Sequence, residues 1–286
     1  MAKDNPEKIY LTLNDYSVSG EEFQLVENSE FGFLETTPQP ASNKLSYYYK
    51  SDDYISHTDS KRNFFEKGYH LIRKVSLKRK LNLINKFSNE GKNLLDIGCG
   101  TGDFLLTAQQ NNWKVLGIEP NEQAKKIANS KTNNAVYNVD QLSKLDEFSF
   151  DVITLWHVLE HLPNLEDQLK VFKKLLKPKG TLIIAVPNYN SFDAKHYKNF
   201  WAAYDVPRHL WHFNKKSISK LVSKQYMEIH NIKPMWFDSF YVSLLSEKYK
   251  TGKMNFLKGF LIGFISNLKA YATKEYSSLI YIVRNT

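Results

Sequence analysis

The chain predicts an α/β fold built on an open, mostly parallel sheet. Three observations carry that expectation. Between residues 93 and 187 short apolar, β-branched runs alternate with amphipathic ones. A glycine loop, Asp96-Ile97-Gly98-Cys99-Gly100-Thr101-Gly102, joins the first run to a helical pattern (Phe104, Leu105, Ala108). Polar residues stand at the ends of the next two runs, Glu119 and Asn138. Continuously apolar strands are buried on both faces, as in a parallel sheet covered by helices.

In chain order, residues 7–40 hold three short strand-like runs, 9–11, 22–26 and 31–34. Thr37-Pro38-Gln39-Pro40 closes them as an extended connection, because proline bars its predecessor from the helical region. An aromatic stretch follows (Tyr47, Tyr48, Tyr49, Tyr54). Residues 60–90 place Phe64, Phe65, Tyr69, Ile72, Val75, Leu77, Leu81, Ile84 and Phe87 at helical spacing, ended by Gly91. The cations there, Arg73, Lys74, Lys78, Arg79 and Lys80, read as a solvated helix face.

Strands are predicted at 93–97, 114–118, 135–137, 151–156, 181–186, 229–232 and 279–283. Helices are predicted at 121–128, 165–176 (stopped by Pro178 and Gly180) and 217–224. Two segments stand outside this alternation: 188–214, aromatic and irregular, and 238–275, apolar and helical. Both follow strand ends at or near the ligand side, where open sheets carry substrate-binding insertions. The apolar run 256–268 is too short to span a bilayer, which takes roughly 20 residues. It suits an interfacial helix, a dimer surface or a lid, with packing inside the protein or against a second copy expected first.

A chain of 286 residues with 42% hydrophobic content buries a sizeable core, as one domain with or without appendages. Its net charge of +9 comes from scattered lysines rather than one basic block, so nucleic acid is not expected as a partner. The single cysteine, Cys99, excludes disulfides within the chain and an all-cysteine zinc site. The polar N-terminus shows no secretion signal, and a cytoplasmic protein is expected.

Gly-x-Gly-x-Gly with Asp two residues ahead differs from the Gly-x-Gly-x-x-Gly of dinucleotide binders, because Asp103 occupies the place of the third spaced glycine. No Lys-Ser/Thr pair follows, so the loop suits a nucleoside better than a phosphate chain. Asp-x-Gly-x-Gly-x-Gly resembles motif I of the class I S-adenosylmethionine (AdoMet) methyltransferases. That family has a Rossmann-like, seven-stranded, mostly parallel sheet with helices on both faces. The resemblance implies a methyl transfer from AdoMet that releases S-adenosylhomocysteine, with no metal required. Residues 7–58 are similar in layout to the zinc ribbon preceding some bacterial sugar and small-molecule methyltransferases, without its cysteines. The expected organisation is a metal-free appendage at 1–58 and a methyltransferase domain at 59–286.

By that resemblance the cofactor site comprises Asp96, Gly98, Cys99, Gly100 and Gly102 on the loop, and Glu119 and Pro120 at the second strand end. Glu119 is placed to accept bonds from both ribose hydroxyls, as in NAD-binding proteins. Asn138, Val139 and Asp140 follow the third strand, and either Asn138 or Asp140 fits the adenine amino group. Trp156 and His157 end the fourth.

His157-Val158-Leu159-Glu160-His161 is similar to the matching segment of ubiquinone-pathway O-methyltransferases. It also matches an inverted zinc-protease signature, which belongs on a long helix rather than directly after a buried strand. His157 and His161 share a face if helical, and one of them can serve as general base toward a hydroxyl acceptor. A purely local hydrogen-bonding role for Glu160 and His161 stands beside that reading. Trp201, Tyr204, Arg208 and His209 form a candidate acceptor wall, with Arg208 for an anionic group and His209 as a third candidate base. Simple aromatic packing is the equal alternative.

The expected protein is therefore an AdoMet-dependent methyltransferase acting on a small molecule, by O- or C-methylation, as a monomer or homodimer. The rivals are a non-catalytic AdoMet-binding protein and a nucleic-acid methyltransferase. No membrane-spanning segment is expected, only surface contact through 256–268.

Overall fold

The computed structural model describes residues 8–41, 44–49, 64–88 and 91–286. Tyr54 and residues 50–58 of the predicted appendage lie outside them.

Three strands open the chain: β1 (Ile9–Asn14), β2 (Glu22–Glu27) and β3 (Leu34–Thr37). A short helix α1 (Leu45–Tyr48) and a long one, α2 (Phe64–Asn85), lead to the main sheet. That sheet starts with β4 (Asn93–Ile97), α3 (Asp103–Gln109), β5 (Lys114–Ile118), α4 (Glu122–Thr132) and β6 (Val136–Tyr137). It continues through β7 (Phe150–Trp156), α5 (Leu165–Leu175) and β8 (Leu176–Pro187). Then come α6 (Phe192–Tyr197), β9 (Trp211–His212), α7 (Lys215–Ser223) and β10 (Met227–Pro234). The helices α8 (Asp238–Thr251) and α9 (Phe256–Thr273) precede the last strand, β11 (Ser278–Asn285).

The seven-stranded sheet has the order β10-β11-β8-β7-β4-β5-β6. All neighbouring pairs from β8 to β6 are parallel, and β11 alone runs antiparallel, between β8 and β10. From β4 the chain first builds outward to β5 and β6, then returns to place β7 on the other side. The reversal opens a crevice at the carboxyl ends of β4 and β7, where open sheets bind ligands. Leu94, Leu95, Val152, Ile153, Leu182 and Ile184 are inaccessible, which is why these strands read as continuous apolar runs. Helix α5 buries Leu165, Leu169, Phe172 and Leu175, one stripe of a 3.6-residue period. Helix α4 begins where the Asn121 side chain accepts the Ala124 N–H at 2.9 Å, a cap typically contributing about 1 kcal/mol.

Most element boundaries shift by a few residues from the sequence expectation, and two of the shifts have a visible cause. The third strand starts at Leu34 rather than Phe31, because the Asn28 side chain accepts the N–H groups of Glu30 and Phe31 and holds 28–32 as a turn. Leu176 already belongs to β8, which passes through Pro178 and Gly180 by a register shift against β7 instead of waiting for them.

The opening strands form a second, antiparallel sheet, β1-β2-β3-β9, whose last strand comes from the 188–214 insertion. Leu13, Phe23, Leu25 and Leu34 share one core with Tyr189, Tyr197, Trp201 and Tyr204. The N-terminal segment and the insertion therefore fold as one layer. Asp15 closes the β1–β2 turn by accepting the N–H groups of Ser17, Val18 and Ser19.

Helices α8 and α9 pack closely. A Cβ at Gly259 would stand 2.9 Å from the Leu244 Cα, and one at Gly263 2.8 Å from the Phe240 Cα. The other face of α9 leaves Leu257, Phe260, Phe264, Leu268 and Tyr271 exposed. No helix among the described residues is long and apolar enough to cross a membrane.

Candidate active site

The glycine loop turns directly out of β4 at the crevice. Asp96, its last residue but one, is 2% exposed and accepts the Thr154 hydroxyl of β7 at 2.6 Å. Burial pushes its carboxyl up to about 7 against the pull of Thr154 and Lys80. Glu119, at the end of β5, accepts the Gly100 N–H at 2.8 Å and the Asn121 N–H at 2.9 Å. Burial raises its carboxyl as well, with those two bonds opposing. Two buried carboxylates thus bracket the loop.

The three glycines are not equivalent. A Cβ at Gly98 would stand 2.5 Å from a methyl of Val158, and one at Gly102 2.9 Å from the Ala128 Cα, both at positive φ. Protein packing alone demands glycine there. At Gly100, with φ +54°, a Cβ would meet no atom within 4 Å. The open space over Gly100, whose N–H is held by Glu119, is where a ligand can lie on the backbone. Cys99 points the other way, toward Gly117. Burial raises its thiol well above the usual range, so it stays neutral and offers only its backbone to the loop.

After β6, Asn138 accepts the Lys125 ammonium at 2.6 Å, whereas Asp140 turns outward to Lys144 at 2.8 Å. Val139 is half exposed beside them, and Pro120 is exposed ahead of α4.

The β7 end differs from the expected helix. His157 adopts φ +57° and only Leu159–His161 form a 3-10 turn, so the two histidines do not share a helical face. The His157 ring lies 2.9 Å from Asp238 through Nε2 and 3.4 Å from Glu160 through Nδ1. Burial opposes its charge, yet the Asp238 and Glu160 carboxylates outweigh it and push the imidazole up to about 10. A cationic ring with both nitrogens engaged has no lone pair for a substrate proton. His161 turns instead toward the 202–210 segment, with Nδ1 3.0 Å from the Arg208 carbonyl.

The proposed acceptor wall is largely satisfied from within. Trp201 and Tyr204 are buried, and the Trp201 indole donates to Asp193 at 2.7 Å. Arg208 is buried, donating from Nε to both oxygens of Asp205 at 3.0 Å and from Nη2 to Asp15 at 3.1 Å. His209 is buried with Nδ1 on the Ala203 carbonyl at 2.9 Å, and burial next to His161 lowers it to about 4.

A cavity of about 320 Å³ lies elsewhere on the same edge, between α2, Trp156 and the 233–238 turn. Its wall includes Arg79, Lys80, Trp156, Trp236, Phe237 and Asp238. The Lys80 ammonium sits 4.4 Å over the Trp156 ring, and burial lowers it to about 8 despite Asp96 and Asp238. Sequence reasoning placed Lys80 on a solvated face and left Trp236, Phe237 and Asp238 unassigned. The departure of a Trp-Phe-Asp turn from helical periodicity after a strand end was the available signal.

A switch-point crevice with one open glycine and two bracketing carboxylates defines a Rossmann-like nucleoside-binding protein. Comparison with known proteins narrows this. The methyltransferase domain family matches residues 69–227. A ubiquinone biosynthesis O-methyltransferase of Coxiella burnetii is 32% identical over 130 residues, 43% of this chain and 54% of that protein. One from an Azoarcus species is 32% identical over 107 residues, 35% of this chain and 46% of that protein. The chain spans about half the length of the curated relatives it matches.

Among solved structures, magnesium protoporphyrin IX methyltransferase of Synechocystis, with bound S-adenosylhomocysteine, aligns with a TM-score of 0.56. That alignment covers 86% of this chain and all of that one at 15% identity. Geranyl diphosphate C-methyltransferase of Streptomyces coelicolor aligns at 0.54 and 14% identity, over 80% of this chain and 83% of that one. At such identities the likeness establishes the fold. The chain belongs to the methyltransferase domain family, with the class I fold and S-adenosylmethionine as the family's cofactor.

Proposed function

We propose that this protein transfers a methyl group from AdoMet to a hydroxyl of a small-molecule acceptor. One observation carries the reading: the open space over Gly100, whose N–H bonds Glu119, on the glycine loop at the sheet's reversal point. The family match and the curated O-methyltransferase relatives support the same chemistry. AdoMet, when bound, supplies an electrophilic sulfonium methyl, so the protein's task is alignment and exclusion of water. The Gly98–Gly102 backbone and Asp96 hold the amino-acid end of the cofactor, Glu119 its ribose, and the Asn138–Val139 turn its base.

The acceptor occupies the cavity beside Trp156 rather than the 188–214 segment. Trp236 and Phe237 supply apolar walls and Arg79 and Lys80 positive charge, a setting for an aromatic acceptor carrying an acidic hydroxyl. Burial lowers the Lys80 ammonium to about 8, so its neutral fraction near that pH takes the acceptor's proton and the charged form that results stabilises the oxyanion. A cytoplasmic location and a monomeric or homodimeric state belong to the same reading.

Calorimetric titration with AdoMet, followed by assay of S-adenosylhomocysteine release across a panel of phenols and catechols, tests it. The expected result is AdoMet binding that Glu119→Ala abolishes, turnover with at least one hydroxylated aromatic, and a Lys80→Met variant with lowered kcat. AdoMet binding with no turnover on any acceptor would favour the non-catalytic binder. Binding of NAD in place of AdoMet would overturn the assignment.

A further inference from the structure

Glu160, His161 and His209 meet away from the glycine loop. They come from two separate segments, the 3-10 turn after β7 and the 202–210 stretch, joined by a bond from the Leu210 N–H to the Glu160 carbonyl at 2.8 Å. Glu160 is 1% exposed, and neither carboxylate oxygen has a hydrogen-bond partner. Oε1 faces the cationic His157 ring at 3.4 Å as an ion pair, and Oε2 has no partner. A buried carboxylate with one oxygen unmatched needs explaining, because an unsatisfied buried polar atom costs free energy.

The two imidazoles are oriented by carbonyls. His209 Nδ1 must carry the proton, since its partner at 2.9 Å is the Ala203 carbonyl, which can only accept. His161 Nδ1 likewise faces the Arg208 carbonyl at 3.0 Å, with the Tyr49 hydroxyl also at 3.0 Å. In each ring the lone pair is then on Nε2. The rings stand edge to face with centroids 4.5 Å apart. One ligand atom from each of Glu160, His161 and His209 lies within 4.8 Å of the others. Asp205, fixed by Arg208, adds a carboxylate oxygen 4.0 Å from His209 Nε2. Ligand atoms of two imidazoles and two carboxylates converge here.

We propose that Glu160, His161 and His209 bind one divalent first-row transition-metal ion, of the zinc type, with Asp205 beside the remaining coordination position. Two imidazoles and a carboxylate form a familiar zinc ligand set, and each ring is held through Nδ1 by an outer carbonyl, as ligating histidines are. The ion clips the insertion to the turn after β7, fixing the loop that carries His157 and Trp156. This inference departs from the metal-free expectation of the sequence and does not depend on methyl transfer.

The test is titration of tag-free, chelator-treated full-length protein with Zn²⁺ by calorimetry, with Co²⁺ absorption as a second readout of coordination. One ion per chain is expected, with visible Co²⁺ bands of low-symmetry nitrogen and oxygen coordination. His161→Asn and His209→Asn should each weaken Zn²⁺ binding at least about 100-fold, beyond the usual loss from an outer partner. His161 is only half-buried, so His161→Asn carries the test if Glu160→Gln does not fold. A flat titration of the wild-type protein means that water or a proton fills the site, and overturns the proposal. So does Zn²⁺ binding that survives in both histidine variants, which would place the ion at a surface histidine.

Discussion

The loop after β4 and the segment after β8 were both candidates for ligand contact, and they are built in opposite ways. The glycine loop leaves a space: Gly100 has nothing over it, and Asp96 and Glu119 face it with carboxylates that burial has made easier to protonate. The 188–214 segment leaves little. Trp201 donates to Asp193, Tyr197 to Glu247, and Arg208 to both Asp205 and Asp15. A binding surface needs polar groups with spare capacity, whereas a fold needs them satisfied. The aromatic segment is therefore the keystone between the N-terminal sheet and the main sheet, and the proposed function puts the acceptor at the 233–238 turn instead.

The largest effect should come from breaking the keystone. Arg208→Met strands two carboxylates, one of them in the buried Asp15 turn, and should cost about 3–5 kcal/mol in chemical denaturation. AdoMet affinity of the folded fraction should stay within a factor of two. If Arg208→Met instead keeps its stability and loses acceptor binding, the segment is a binding wall after all.

Substitutions in the loop should separate packing from binding. Gly102→Ala adds a left-handed penalty of about 1–2 kcal/mol to a contact with the Ala128 backbone, for a total of about 2–4 kcal/mol. Gly100→Ala incurs only the backbone penalty, about 1–2 kcal/mol, yet should reduce AdoMet affinity at least tenfold. Equal effects on binding and stability at both positions would erase the distinction. Glu119→Gln keeps the shape but weakens charge-assisted bonds worth about 1.5–3 kcal/mol, so calorimetry should show AdoMet binding roughly 10–100-fold weaker.

The last test reads a slope. Burial raises the Asp96 carboxyl to about 7, so between about pH 4 and 7 the folded chain keeps a proton that the unfolded chain has lost. The stability this group contributes is present below that window and falls as pH rises through it, by up to about 1.4 kcal/mol per pH unit. Asp96→Asn should flatten that part of the stability profile. An unchanged slope would mean that Asp96 is charged in the fold.

Much of the fold was legible because its signals are local. Asp96 to Gly102 carries its own turn chemistry, Asn121 its own cap, and 182–186 its own two-faced burial. The seven strands were found in their order because apolar runs alternate with helical ones. Boundaries slipped where a side chain overrode the pattern, as Asn28 did at β3. In the candidate site, the loop and Glu119 were legible, but which glycine is open was not, since Val158 and Ala128 decide that from 26 or more residues away. Lys80 was misread because a lysine in a cationic run looks solvated until Trp156 is brought beneath it.

By itself, the sequence determined the sheet, the glycine loop at its reversal point and the class of cofactor, because each rests on neighbours within one strand–turn–helix unit. Only the tertiary structure decided the rest. It clamps His157 between Asp238 and Glu160, joins Arg208 to a turn 193 residues earlier, and brings Glu160, His161 and His209 within ligand reach. The physical reason is that charge state and free capacity depend on what packs against a group, and those contacts come from distant segments.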